Sequence, residues 1–388
     1  MKRILHIILY TSLLAAFFGG ARPALAQTDS TSEPFASKPL CLPDVYLNDP
    51  VDCLALGPAQ KITEMARKGL IFPQRPLPAV KPDKALTVSP VYIARINLDK
   101  KEQAAVYATF EDATQGNNPT RFIPPGPLRY MSYIDVEYYN KKPYIRLYSG
   151  EWMRASPIAY SDFQGLLFSE TPQNSFGWIV DTAQVVSAPG YNSPKTGKTL
   201  IREDVVQIYD VQPADKTDWY MIGLDQWVER RYIRQVRINT TPPEGVSGDQ
   251  WIDVDLYDQT LAVYENRQLI FATMVASGGE PFFTRPGVFQ IYEKDKTETM
   301  SGSFEADRSD YYYLEDVPWT MYFDEARALH GAYWRAWFGY EGTHGCVNLS
   351  IGDSAWLFNW AQQGEWVHVW DPSGRTPTDP SYYGKGGA

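Results

Sequence analysis

Leu329-His330-Gly331-Ala332-Tyr333-Trp334, running through residues 335–341 to Gly342-Thr343-His344-Gly345-Cys346-Val347-Asn348-Leu349, is the stretch from which the rest of the chain is read. It holds two of the four histidines and one of the three cysteines. A thiol is a good nucleophile only as thiolate, and imidazoles close by are the usual means of activating it. Gly345, directly before Cys346, lets the chain turn tightly and leaves main-chain amides available to a developing oxyanion. Two other chemistries stay open on these residues alone. Two His and a Cys are zinc ligand types, although no fourth ligand lies near and the His-x-Cys spacing is unlike the usual structural knuckles. A buried, inert Cys beside packing histidines is the third.

The pair His330-Gly331 and Thr343-His344-Gly345-Cys346-Val347-Asn348 resembles the signature of the L,D-transpeptidases, whose YkuD-type catalytic domain carries a His and then [Ser/Thr]-His-Gly-Cys-apolar-Asn. The resemblance covers about the last third of the chain. It implies Cys346 as nucleophile and His330 as the imidazole that takes the thiol proton and returns it to the leaving amine. It gives His344 a supporting role and Asn348 a structural one, and makes the backbone near Gly345 and Cys346 the oxyanion hole, with Thr343 and Gly331 in support. Some relatives carry Ser directly after the first His. This chain has Gly331, so a main-chain carbonyl is expected to orient His330. No cofactor and no metal are implied.

Elsewhere the chain reads as an exported protein. Lys2 and Arg3 precede an apolar run from Ile4 to Phe18, and Ala24-Leu25-Ala26 supplies a small-residue site, the pattern of a signal peptide over 1–26. The run is short for a spanning helix, and no later stretch is apolar enough to cross a bilayer. The 388 residues are 44% hydrophobic and 14% aromatic, enough for more than one core. The net charge of -10, or about -13 once the leader is removed, argues against nucleic acid as partner. Outside the cytosol, Cys41 and Cys53 at this spacing predict a disulfide closing a small loop, leaving Cys346 as the odd thiol.

Residues 27–84 read as a linker or stem, rich in Ser, Thr and Pro at first, with a brief helical signal at 59–68 and extended chain imposed by Pro73, Pro76, Pro78 and Pro82. Two segments, 85–160 and 161–242, then share a pattern of short aromatic-rich strands, with Trp152 laid over Trp227 and Ile158 over Ile233. They resemble tandem SH3-like β-barrels, which imply contact with wall glycan. Their aromatics are expected mainly in cores. Thr240 to Gly245 is a linker.

The catalytic domain is expected over 248–372, with a polar tail over 373–388. It opens as a β-meander (251–257, 260–264, 268–275), followed by the turn Thr284-Arg285-Pro286-Gly287 and a strand over 288–292. The polar stretch 293–318 reads as a loop, hinged at Ser301-Gly302-Ser303, that either covers the cleft or lies on the surface with its tyrosines packed beneath it. A strand over 319–323 brings Met321 and Tyr322 toward His330, and with Trp334 these are the candidate substrate-pocket residues. Ser350 and Asp353 form a capping box for a helix through Trp360. His368, on a closing strand, is expected to be structural. The whole is therefore mainly β: two small barrels, then a YkuD-type β-sandwich with one short helix.

The resemblance implies acyl transfer between peptidoglycan stem peptides, in the periplasm or cell wall. The thiolate attacks the carbonyl of the third residue of a tetrapeptide stem, D-alanine leaves, and an amine of a second stem forms a 3-3 cross-link. An L,D-carboxypeptidase-type hydrolase using the same residues, and a non-catalytic wall-binding protein, remain as alternatives.

Overall fold

The computed structural model describes residues 76–383. The leader, Cys41 and Cys53, the 59–68 helical signal and most of the expected stem lie outside the described residues.

The chain is mainly β. Two seven-stranded sheets face each other around one core. The first runs in the order Ala79–Val80, Leu166–Phe168, Gln268–Met274, Thr260–Glu265, Trp251–Asp255, Trp366–Trp370, Gly287–Gln290. The three central strands are the predicted meander. The second sheet is built on strand β1 (Leu128–Tyr133), β2 (Glu293–Gly302), β3 (Tyr312–Asp324), β4 (Arg327–Gly331) and β5 (Val347–Leu349), with Tyr92–Arg95 and Ser156–Pro157 beyond β1. Ile252, Val254, Leu261, Val263 and Phe271 of the first sheet pack on Met321, Phe323, Leu329 and Val347 of the second. Helix α1 (Ile351–Trp360) adds Leu357 to the same core. Its start is the predicted one: Ser350 is the N-cap, and its hydroxyl accepts from the Asp353 amide.

The segments before residue 240 hold apolar clusters of their own, with Ala104, Val106, Ile145 and Met153 in one and Val185, Ile208, Tyr220 and Val228 in the other. Smaller sheets lie within them, at 104–154 and at 176–236. However, β1 pairs in parallel with β3, Tyr312 opposite Leu128, and Leu166–Phe168 extends the first large sheet beside Gln268–Met274. Their indoles are buried, Trp152, Trp178, Trp219 and Trp227 among them.

The stretch 293–318 is not a loop. β2 and β3 form a long antiparallel hairpin in which Ser301 and Gly302 pair with Tyr313 and Tyr312, so the expected hinge is part of the ladder. The turn of the hairpin lies at 303–311. Met321 is fully buried in the sandwich core, away from any cleft. At the other end of the chain the tail folds back, and the Arg327 guanidinium lies 5.3 Å from the ring centre of Tyr383.

Candidate active site

Parallel pairing of β4 with β5 sets Leu329 beside Val347 and His330 beside Asn348. Because side chains alternate along a strand, Leu329 and Val347 enter the core while His330, Asn348 and the preceding Cys346 share the opposite face. The turn before β5 is stapled by Thr343: its hydroxyl donates to the Cys346 carbonyl at 2.6 Å and accepts from the Gly345 amide at 3.1 Å. Gly345 has φ +114°, open to glycine and costly for other residues. From the other side Thr284 donates to the Gly345 carbonyl at 2.8 Å and accepts from the Gly278 amide at 2.9 Å. The Gly345 amide, expected to face an oxyanion, is thus already engaged by Thr343.

The His330 ring is oriented by its own strand. Nδ1 lies 3.2 Å from the Gly331 carbonyl, which only accepts, so Nδ1 carries the proton and Nε2 presents a lone pair. A serine at 331 has no room here: a Cβ on Gly331 would lie 2.6 Å from Ser354 Oγ of α1. Arg335 Nη2 donates to the Gly342 carbonyl and ties the segment after His330 to the turn. That segment is also held by Gly339 N to Val275 O (2.8 Å) and Tyr340 Oη to Val180 O (3.0 Å).

Cys346 and His330 border one cavity of about 70 Å³, with Leu128, Met300, Tyr312, Leu314, Trp334, His344 and Asn348. Sγ accepts from the Ala328 amide at 3.4 Å and lies 3.8 Å from the Ala326 carbonyl. Ala326 lines a second, wider cleft of about 530 Å³ with Tyr292, Tyr322 and the carboxylates Glu293, Asp295, Glu298 and Glu325. The thiol therefore stands between a small apolar cavity and a broad acidic one.

Burial sets the protonation states. It pushes the Cys346 thiol up to about 11, against the Ala328 amide and the Arg327 guanidinium. It pushes His330 down to about 4, against the Gly331 carbonyl and with the help of Arg335. At neutral pH both are uncharged. His344 is lowered by burial and raised in part by Asp310. Its ring is stacked on Phe304, 4.5 Å away, and on Tyr312, 5.8 Å away, with Phe282 edge-on at 4.9 Å. The hairpin turn is thus anchored on the middle of the motif. Gly302 permits this, since a Cβ there would meet Tyr312 Oη at 2.7 Å.

Residues 249–369 match the family model described as the L,D-transpeptidase catalytic domain, YkuD. This part of the chain is an L,D-transpeptidase catalytic domain. L,D-transpeptidase 1 of Mycobacterium tuberculosis is 26% identical over 218 residues, which is 52% of this chain and 83% of that protein. A crystal structure of a mutant Enterococcus faecium L,D-transpeptidase is 26% identical, with a TM-score of 0.29, over 32% of this chain and 50% of that one; the chain thus spans about half the length of that structure. The NMR structure of the E. faecium catalytic domain is 27% identical over 32% of this chain and all of that one, with a TM-score of 0.29.

Of the residues picked from sequence, the structure brings Cys346, His330, His344, Thr343, Asn348 and Trp334 to the small cavity. Tyr322 lines the wide cleft, and Met321 neither. Leu128, Met300, Leu314 and Phe304 carried no sequence signal, because each reads as an ordinary strand or loop residue. His368 is structural, with Nδ1 2.5 Å from Asp253 Oδ1.

Proposed function

We propose that this L,D-transpeptidase is exported and cross-links peptidoglycan stems through a thioester on Cys346. The observation that carries this reading is one cavity bordered by both the thiol and an imidazole with Nε2 unprotonated. Sγ attacks the carbonyl of the third stem residue as His330 Nε2 takes the thiol proton. The amide bond to the terminal D-residue breaks, and Nε2 passes that proton to the leaving amine. An amine of a second stem then attacks the thioester, gives its proton to Nε2, and the proton returns to Sγ as the acyl group departs. With the Gly345 amide held by Thr343, the oxyanion falls to the Cys346 amide. His344 supports the site as the seat of the hairpin turn, and the 27–84 stem carries the enzyme to the wall.

Water competes with the acceptor amine at the thioester. The hairpin turn packed on His344 narrows access to the small cavity and favours transfer over hydrolysis. The test is intact mass after incubation with a carbapenem, then with tetrapeptide stems, for wild type and Cys346→Ala. A covalent adduct on wild type alone, followed by a cross-linked dimer, is expected. Tripeptide without dimer would make the protein a carboxypeptidase. No adduct on folded protein would return the reading to a wall-binding protein.

A further inference from the structure

We infer that Leu128, a residue outside the catalytic domain, sets the size of the terminal stem residue that the enzyme expels. The inference rests on the acyl-transfer reading above. The leaving amine must come within reach of the group that protonates it, and His330 borders the small cavity and not the wide cleft. The expelled residue therefore sits in the small cavity, and the acyl part of the donor, three residues long, lies toward the 530 Å³ cleft. A volume of about 70 Å³ holds a few waters or a small substituent but not a long side chain. Its apolar walls are Leu128, Met300, Leu314 and Trp334. They suit a methyl side chain, and the polar part of the lining, Thr343, His344 and Asn348, is left for the carboxylate that the terminal residue carries.

Leu128 is the wall that the catalytic domain does not supply, and it is held firmly. It lies at the start of β1, opposite Tyr312 in the parallel ladder. The next residue, Arg129, is buried and donates to the carbonyls of Glu102 (2.7 Å), Pro124 (3.1 Å) and Asp99 (3.1 Å). Two residues earlier, Gly126 passes so close to β3 that a Cβ would lie 2.0 Å from the Tyr311 carbonyl. The wall cannot retreat without separating β1 from β3.

The experiment compares tetrapeptide stems ending in D-alanine and D-leucine, with the full mature chain, reading kcat/KM for release of the terminal residue. Wild type is expected to prefer D-alanine. Leu128→Ala is expected to shift that ratio about tenfold toward D-leucine, the scale of a methylene or two in an apolar pocket. Leu128→Phe is expected to slow release of D-alanine by a similar factor. Leu128→Val and Leu128→Met, with smaller changes in volume, carry the same readout if the alanine variant does not fold. A purely structural role would lower both rates together. An unchanged ratio in folded variants that still acylate overturns this inference and leaves the acyl-transfer reading standing. Absence of any acylation of wild type by either stem removes that reading, and this one with it.

Discussion

At the scale of single residues, the charge states of His330 and Cys346 decide how the thiol is used. A preformed thiolate–imidazolium pair would need a thiol titrating below the imidazole, and burial has placed them in the opposite order, about 11 and about 4. On the proposed mechanism the thiol proton therefore moves to Nε2 only as the carbonyl carbon arrives. Since the neutral pair is the reactive form, acylation should lose rate only as His330 gains a proton near pH 4 and should be level from about pH 5 to 8. Absorbance near 240 nm should show no thiolate at pH 7. His330→Asn should cost about 10²–10⁴-fold in kcat/KM and abolish the acid limb. A bell-shaped profile centred near neutrality, or thiolate absorbance at pH 7, would refute this order of titration. The motif around Cys346 was legible in sequence because a six-residue run is specific, and the proposed nucleophile is read from it. The orientation of His330 was legible only as an expectation from the missing Ser. What fixes Gly331 is Ser354 Oγ from α1, a contact between two elements that no local pattern encodes.

At the scale of elements, the β2–β3 hairpin is the piece that sequence reading placed wrongly. Glu293-Lys294-Asp295-Lys296-Thr297-Glu298-Thr299 has no apolar face, so alternation gave no strand signal, although the ladder pairs it with β3 over its length. Its turn is organised by Asp310, whose carboxylate accepts from Ser303 Oγ (2.6 Å), the Phe304 amide (2.9 Å) and the Glu305 amide (3.1 Å). Although burial opposes it, these donors hold Asp310 down to about 2, so the turn stays charged and bonded throughout the working range. Phe304 is thereby presented to His344. Asp310→Ala should free the turn, loosen the Phe304–His344 stack and admit water to the thioester. The ratio of hydrolysed to transferred product should rise about tenfold, with acylation by a carbapenem changed far less, by analogy with other lids that exclude water. An equal fall in both steps would mean that the turn shapes the nucleophile itself rather than its access to water.

At the scale of the whole molecule, the catalytic domain shares two sheets and two apolar clusters with the segments before it, which also hold clusters of their own. One cluster joins Ile93 and Tyr130 to Tyr312, Leu314 and Tyr333; another joins Phe163, Leu166, Phe168, Phe176 and Trp178 to Trp251, Tyr264, Leu269 and Phe338. The sequence reading placed a linker at 240–245 and did not single out Leu128–Tyr133 and Leu166–Phe168 as strands of the large sheets, since short aromatic strands look the same whether they pair locally or extend a neighbour's sheet. Burying one large apolar side chain is worth about 1.5–3 kcal/mol, and a domain is stable by only about 5–15 kcal/mol. Losing Ile93, Tyr130, Leu166, Phe168 and Trp178 together would therefore remove about as much as the domain has. In calorimetry of the full chain the catalytic domain should show no transition separate from that of the strands that complete its sheets. Residues 249–388 expressed alone should show no sharp transition and should bind a hydrophobic dye, because Tyr312, Leu314 and the open edge of Gln268–Met274 become exposed. A sharp transition for that fragment near the full-length midpoint would establish the catalytic domain as autonomous and would leave the shared sheets as contacts of little energetic weight.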